Sequence, residues 1–182
     1  MAPSAPSLPP LHLAAVRMSE ADYVAVNFRL WQARPATRRN HWLLGAAVLL
    51  LTVSIGLDVW EHGRIETWST LLFLGVAVAY GALRVGLVRY QLRRGYARNP
   101  AAQAPTDYTL AADALRGQSA DGRFATPWAR LKRAVWVGPH WLLLYPTELA
   151  CYYLDVRRLQ APATAAEVAQ FLDQQQLSQQ RL

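Results

Sequence analysis

The chain has 182 residues, a net charge of +7 and a single cysteine. One cysteine excludes an intrachain disulfide framework, and the length allows one or two small domains at most. The positive charge is not spread evenly: residues 1–41 carry +3, 42–88 carry −1, 89–106 carry +4 and 107–182 carry +1. Basicity gathered beside apolar segments suits anionic headgroups better than nucleic acid, and the nearly neutral C-terminal segment argues against nucleic-acid binding.

Residues 1–10 hold Pro3, Pro6, Pro9 and Pro10 with Ser4 and Ser7, a composition that predicts a disordered tail. No continuous apolar core precedes a small-residue cleavage site, so no signal peptide is expected. The first apolar segment itself should direct membrane insertion. Residues 11–41 read as a cytoplasmic strand and amphipathic helix. Leu11–Val16 has strand texture, and Ser19 sits as a helix cap with Glu20 and Asp22 in the first turn. The helix should reach about Trp31, with Tyr23, Val24, Phe28 and Trp31 on one side, and stop before Pro35.

Residues 42–88 predict a transmembrane hairpin. A bilayer core about 30 Å thick needs roughly 20 apolar residues at about 1.5 Å each. Segments 42–60 and 68–88 meet that length, and Leu43–Leu57 and Trp68–Leu83 contain no charge. The run Ala46-Ala47-Val48-Leu49-Leu50-Leu51 leaves no polar face of the kind a soluble helix shows. Trp42, Trp60 and Trp68 fall at span ends, where amphipathic rings settle at headgroup level. Arg29, Arg34, Arg38 and Arg39 precede the first span, and Arg89, Arg93, Arg94 and Arg98 follow the second. The connecting loop has Arg64 alone. Basic residues stay on the cytoplasmic side, which places both termini there. Arg84 lies inside the second span, about 24 Å along from Trp68, close enough to the boundary for its stem to snorkel. Small residues line Gly45, Thr52 and Gly56 in the first span and Gly75, Ala79, Ala82 and Gly86 in the second. These faces are expected to meet within the hairpin, with homodimerisation the alternative use.

Residues 89–106 read as a basic linker. From 107 to 182 the texture becomes β-rich. Strands are expected near Tyr108–Leu110, Leu115–Ser119, Phe124–Trp128, Arg133–Val137, Trp141–Tyr145 and Ala150–Val156, punctuated by Asp121-Gly122, Gly138-Pro139 and Pro146-Thr147. Thr164 and Glu167 form a capping box before a helix with Val168, Phe171 and Leu172 at core spacing. About 75 residues is near the lower limit for an independent core, so this domain is a candidate to borrow the strand and helix that precede the first span.

Chemistry is sparse. Cys151 sits among apolar strand neighbours and reads as a buried thiol. His12, His41, His62 and His140 are scattered, with no metal-ligand spacing. No phosphate loop, nucleophile elbow or zinc-protease motif is present, so neither cofactor nor enzymatic activity is expected. Arg130, Lys132, Arg133, Arg157 and Arg158 are the candidates for contact with anionic lipid or a partner, and Asp155 should pair with a nearby arginine.

Several short motifs carry a resemblance. Trp128-Ala129-Arg130-Leu131-Lys132-Arg133-Ala134-Val135, then Trp141-Leu142-Leu143-Leu144-Tyr145, then Tyr153-Leu154-Asp155-Val156-Arg157-Arg158, then a helix through Phe171-Leu172, resemble the C-terminal domain of YcxB-like proteins. Met18-Ser19-Glu20-Ala21-Asp22-Tyr23 ahead of two spans resembles the start of the same family. Arg130 and Val156 depart from it, standing where the family often has an acid and a proline. The resemblance implies a small bacterial inner-membrane protein of α+β class: a two-helix transmembrane hairpin plus a pleckstrin-homology-like β-domain closed by a C-terminal helix. On this reading the chain is non-enzymatic and presents that domain to a protein or to membrane lipid. The alternative is an accessory or regulatory subunit of a transporter or other membrane complex.

Overall fold

The computed structural model describes residues 9–182 apart from Glu66 and Leu149. Most of the expected N-terminal tail lies outside the described residues. The chain is a mixed α+β protein built as two units. One runs through Val26 and resumes at Gly95; the other comprises Asn27–Arg94.

The second unit is dominated by two helices. α1 (Glu20–Ala33) begins in the first unit, and the break at Arg34 lets Pro35 occupy the first turn of α2 (Pro35–His62). Gly63, at φ 68°, ends α2 in the left-handed conformation, and its N–H is donated to the Val59 carbonyl oxygen at 2.9 Å. α3 (Trp68–Ala97) returns. Asp58 organises the connection: its carboxylate accepts from both the N–H and the hydroxyl of Thr67 at 3.1 Å, beside the start of α3. α2 and α3 are each long and apolar enough to cross a membrane, and no residue of their most apolar windows is buried within the protein. Both extend past the apolar segments. α3 continues through Arg89, Arg93 and Arg94, because arginine is a strong helix former. The expected basic linker is therefore mostly helix, completed by α4 (Pro100–Gln103), which Asn99 caps.

Within this pair the half-buried positions of α2 are His41, Leu44, Val48, Leu51, Ile55 and Asp58. Those of α3 include Thr70, Leu74, Ala77, Gly81, Val85, Val88 and Leu92. Steps of three and four residues, strictly alternating in α2, are the heptad-like spacing that keeps one seam facing a neighbour helix. Leu44 meets Gly81 across it: a Cβ added at Gly81 would lie 3.2 Å from Leu44 Cδ2.

The first unit contains two four-stranded sheets. β1 (Leu11–Val16), β2 (Thr106–Leu110), β3 (Ala114–Ser119) and β4 (Gly122–Pro127) form an antiparallel meander in that order. β5 (Arg133–Val137), β6 (Trp141–Tyr145) and β7 (Tyr152–Asp155) form a second. β8 (Gln179–Arg181) joins its free edge, parallel to β5. Between β7 and β8 lies α5 (Ala165–Gln174), with both hydrogen bonds of the Thr164–Glu167 capping box formed. β1, ahead of α1, is thus the outer member of a sheet whose other strands follow α4. Residues 11–41 do not act as one segment; they divide between the units at Val26.

Alternation explains the core. In β2 the inward set is Thr106, Tyr108 and Leu110, while β6, the unbroken apolar run Trp141–Tyr145, is buried along its whole length. Val168, Phe171 and Leu172 of α5 are buried, and Phe171 meets the edge of Trp128, whose indole N–H is donated to the Ala111 carbonyl oxygen at 2.7 Å. The two sheets join where the Thr126 and Tyr152 hydroxyls lie 2.9 Å apart and Phe124 stacks on Tyr152 with ring centroids 4.9 Å apart. Gly117 makes room for that stack, because any Cβ there would run into the Phe124 ring. Overpacking of this kind costs about 1–3 kcal/mol. Gly117→Ala is therefore expected to lower the thermal unfolding midpoint of the detergent-solubilised chain by several degrees, and Phe124→Leu in the same chain to recover part of the loss.

Candidate functional site

The basic residues singled out in the sequence are dispersed. Arg130 closes a 3₁₀ turn (Trp128–Arg130), and Lys132 is exposed just before β5. Arg133 begins β5 opposite Tyr145, the last residue of β6, and its guanidinium lies 4.6 Å from that ring. Arg157 and Arg158 fall in a 3₁₀ turn (Val156–Arg158) after β7, at the opposite end of β6, where Asp155 pairs with Trp141. At about 3.4 Å per strand residue, the length of β6 holds Arg133 and Arg157 more than 10 Å apart. One continuous cationic surface is not what the strands build.

Arg157 is also engaged within the chain. Asp155 is buried and accepts from Arg157 Nη2 at 2.8 Å and from Nε at 2.8 and 3.1 Å, as well as from the Arg157 backbone N–H at 3.0 Å. Asp22 of α1 lies 3.8 Å from the same guanidinium, and Trp141 lies beneath it at 5.8 Å. The Asp155 hydrogen bond, with the Asp155 and Asp22 charges behind it, raises the guanidinium's pKa further. This cluster fastens the start of α1 to the sheet. Tyr23 continues it, with ring contacts to Tyr96 at 5.5 Å and Tyr153 at 6.2 Å, while the Tyr96 hydroxyl is donated to the Met18 carbonyl oxygen at 2.9 Å.

The outer side of the first sheet has a shallow hollow of about 460 Å³, lined in part by Asp107, Thr109, Arg116, Gln118 and Arg123. Much of its polar capacity is already used. Asp107 accepts the Ala15 N–H at 2.6 Å, Thr109 bonds to His12 at 3.0 Å, and Arg116 holds Asp113 through contacts of 2.9 and 3.1 Å. The Arg116 hydrogen bond pulls the Asp113 carboxyl below its usual range.

The small residues Gly45, Thr52, Gly56, Gly75, Ala79, Ala82 and Gly86 are all exposed. Nothing lies within 4 Å of where a Cβ would stand at Gly45, Gly56, Gly75 or Gly86. The seam runs instead through Leu44, Val48, Leu51 and Ile55, because those branched side chains recur at heptad spacing and the glycines do not share their face.

A cluster that sequence reading left apart is assembled at the other ends of these helices. Phe28 and Trp31, one turn apart on α1, have ring centroids 5.3 Å apart. The Arg89 guanidinium lies 5.0 Å from Phe28, and that of Arg84 lies 5.5 Å from Trp31. His41 of α2 meets the Trp31 ring edge-on at 5.4 Å. Arg84 Nη1 is enclosed and has no hydrogen-bond partner among the described residues. The i, i+3 aromatic pair and the lone charge in the second apolar segment were the available signals; their meeting depends on how three helices pack.

Comparison with protein-family models, curated proteins and solved structures finds no match to this chain. Its one thiol offers a direct check on local environment. Cys151 is half-buried and lies just before β7 rather than within a strand; its partial burial still pushes the thiol above its ordinary pKa, against hydrogen bonds with Tyr153 and Tyr145 and the Arg133 charge, all of which favour the thiolate. A raised thiol pKa leaves less reactive thiolate at a given pH. Alkylation of Cys151 by iodoacetamide in the folded chain should therefore show its pH midpoint above that of the same chain in guanidinium chloride. A midpoint at or below the unfolded value would contradict this burial.

Proposed function

We propose that this is a non-enzymatic bacterial inner-membrane protein of YcxB-like type. Its two apolar helices form a transmembrane hairpin that anchors a pleckstrin-homology-like domain in the cytoplasm. The carrying observation is that two helices apolar on every side, with no buried residue in their most apolar windows, are inserted between β1 and β2 of a single sheet. Side chains of that kind need lipid as their solvent.

Two antiparallel meanders, β1–β4 and β5–β7, followed by α5 packed through Val168, Phe171 and Leu172, support the pleckstrin-homology-like comparison. The arginine balance around the hairpin supports cytoplasmic termini. On this reading the domain serves as a docking module held at the membrane. The separation of Arg133 from Arg157, and the pairing of Arg157 with Asp155, favour a protein partner over a polyanionic surface for the β-domain itself.

Orientation gives the direct test. In a Cys151→Ser background, Arg64→Cys should react with a membrane-impermeant maleimide in intact cells, whereas Arg98→Cys should react only in inverted membrane vesicles. Reaction of both sites from the same side, or recovery of the chain in the supernatant without detergent, would overturn the reading.

A further inference from the structure

We infer that Arg84 and Arg89, backed by Trp31 and Phe28, form a binding site for the phosphodiester of an anionic phospholipid in the cytoplasmic leaflet. The inference rests on the membrane reading above and adds a specific ligand to it.

Depth comes first. With Trp68 at the outer boundary, Arg84 is about 24 Å and Arg89 about 32 Å along the helix, against a hydrocarbon core about 30 Å thick. Arg84 thus sits about one helical turn below the inner boundary and Arg89 at it. A guanidinium at that depth is costly unless an anion meets it. Among the described residues no carboxylate pairs with either Arg84 or Arg89. The Arg84 Nη1 group, fully enclosed and unbonded, shows that the side chain is held in place without its own hydrogen bonds being met.

The aromatic rings explain how it is held. The guanidinium carbons stand over the rings, at 5.5 Å for Arg84 on Trp31 and 5.0 Å for Arg89 on Phe28. Arg84 Nη1 is enclosed, so the donors open to an oxyanion are the remaining N–H groups of Arg84 and those of the exposed Arg89. The two rings are neighbours, with centroids 5.3 Å apart, so both cations are gathered on one aromatic pair, where a phosphodiester oxyanion would meet two charges. Arg133 also stands over a ring, that of Tyr145 at 4.6 Å, but among the described residues no second arginine stands over a ring in contact with it. His41, edge-on to Trp31, fixes the ring from the α2 side.

A zwitterionic headgroup carries its own ammonium to neutralise the phosphate; an anionic one does not, so the pair should prefer phosphatidylglycerol to phosphatidylethanolamine. Native mass spectrometry of the full chain in mild detergent, with the two lipids supplied equally, measures this. The wild-type chain is expected to retain phosphatidylglycerol at least fivefold more than phosphatidylethanolamine. Arg84→Gln with Arg89→Gln should lose that excess. Arg94→Gln, which removes a charge from the same helix away from the rings, should keep it. Arg89→Gln alone, at the boundary and without effect on the span, should reduce retention about threefold and guards against misfolding of the double variant. Equal retention of the two lipids by the wild type, or unchanged selectivity in both Arg89 variants, would overturn the site. The maleimide experiment reports on the hairpin separately: labelling as expected with unchanged lipid selectivity removes the site alone.

Discussion

The pairing of β1 with β2 is the constraint on which the rest of the structure depends. Leu11, His12 and Leu13 stand opposite Leu110, Thr109 and Tyr108, although both apolar helices lie between them in the chain. Closing so long an insertion is entropically costly, but the cost grows only slowly with length. An antiparallel helix pair reduces it further, because it returns the chain to the side from which it left. The fit at β1 is specific. Ala15 adopts a left-handed φ of 48° at an irregularity in the ladder, and Asp107 of β2 takes up its N–H. On the outer edge of β1, Leu13 bridges to Leu159, and the His12 carbonyl oxygen accepts from the Gln160 N–H at 2.9 Å.

That closure makes the β-unit discontinuous and large enough to hold a core. Leu11, Leu13, Val16 and Met18 contribute buried apolar surface that residues 107–182 alone would lack. The last turn of α3 and the segment after it are tied to the same place. Tyr96 bonds to the Met18 carbonyl oxygen, and the Met18 N–H is donated to Ala102 at 3.1 Å. The residues that flank the helical unit on either side in the chain are therefore bonded to one another within the β-unit.

Sequence reading was strongest where one residue pattern had one physical meaning. The uninterrupted apolar runs, the strands Leu11–Val16, Arg133–Val137 and Trp141–Tyr145, and the Thr164–Glu167 cap were legible for that reason. What escaped depended on partners distant in sequence. Gln179-Gln180-Arg181 has no strand texture; it becomes β8 because the edge of β5 is open and because Gln179 bonds to Trp136 Nε1 at 2.7 Å. The predicted glycine and alanine stripes matched a rule for close helix approach, yet the seam is a different, heptad-spaced set in which Leu44 faces Gly81. The candidate arginines were grouped by strand adjacency, while register placed Arg133 and Arg157 at opposite ends of β6. Phe28, Trp31, Arg84 and Arg89 were each visible, but their convergence required a three-helix packing that no local pattern encodes.

Backbone hydrogen exchange of the full chain in lipid nanodiscs tests the central claim most directly. If β1 is an integral strand, the Leu11–Val16 segment should be protected to the same order as β3 and should lose that protection together with it as denaturant is added. Exchange of Leu11–Val16 at the rate of an unstructured peptide, while Leu115 and its β3 neighbours stay protected, would contradict a domain closed across the hairpin.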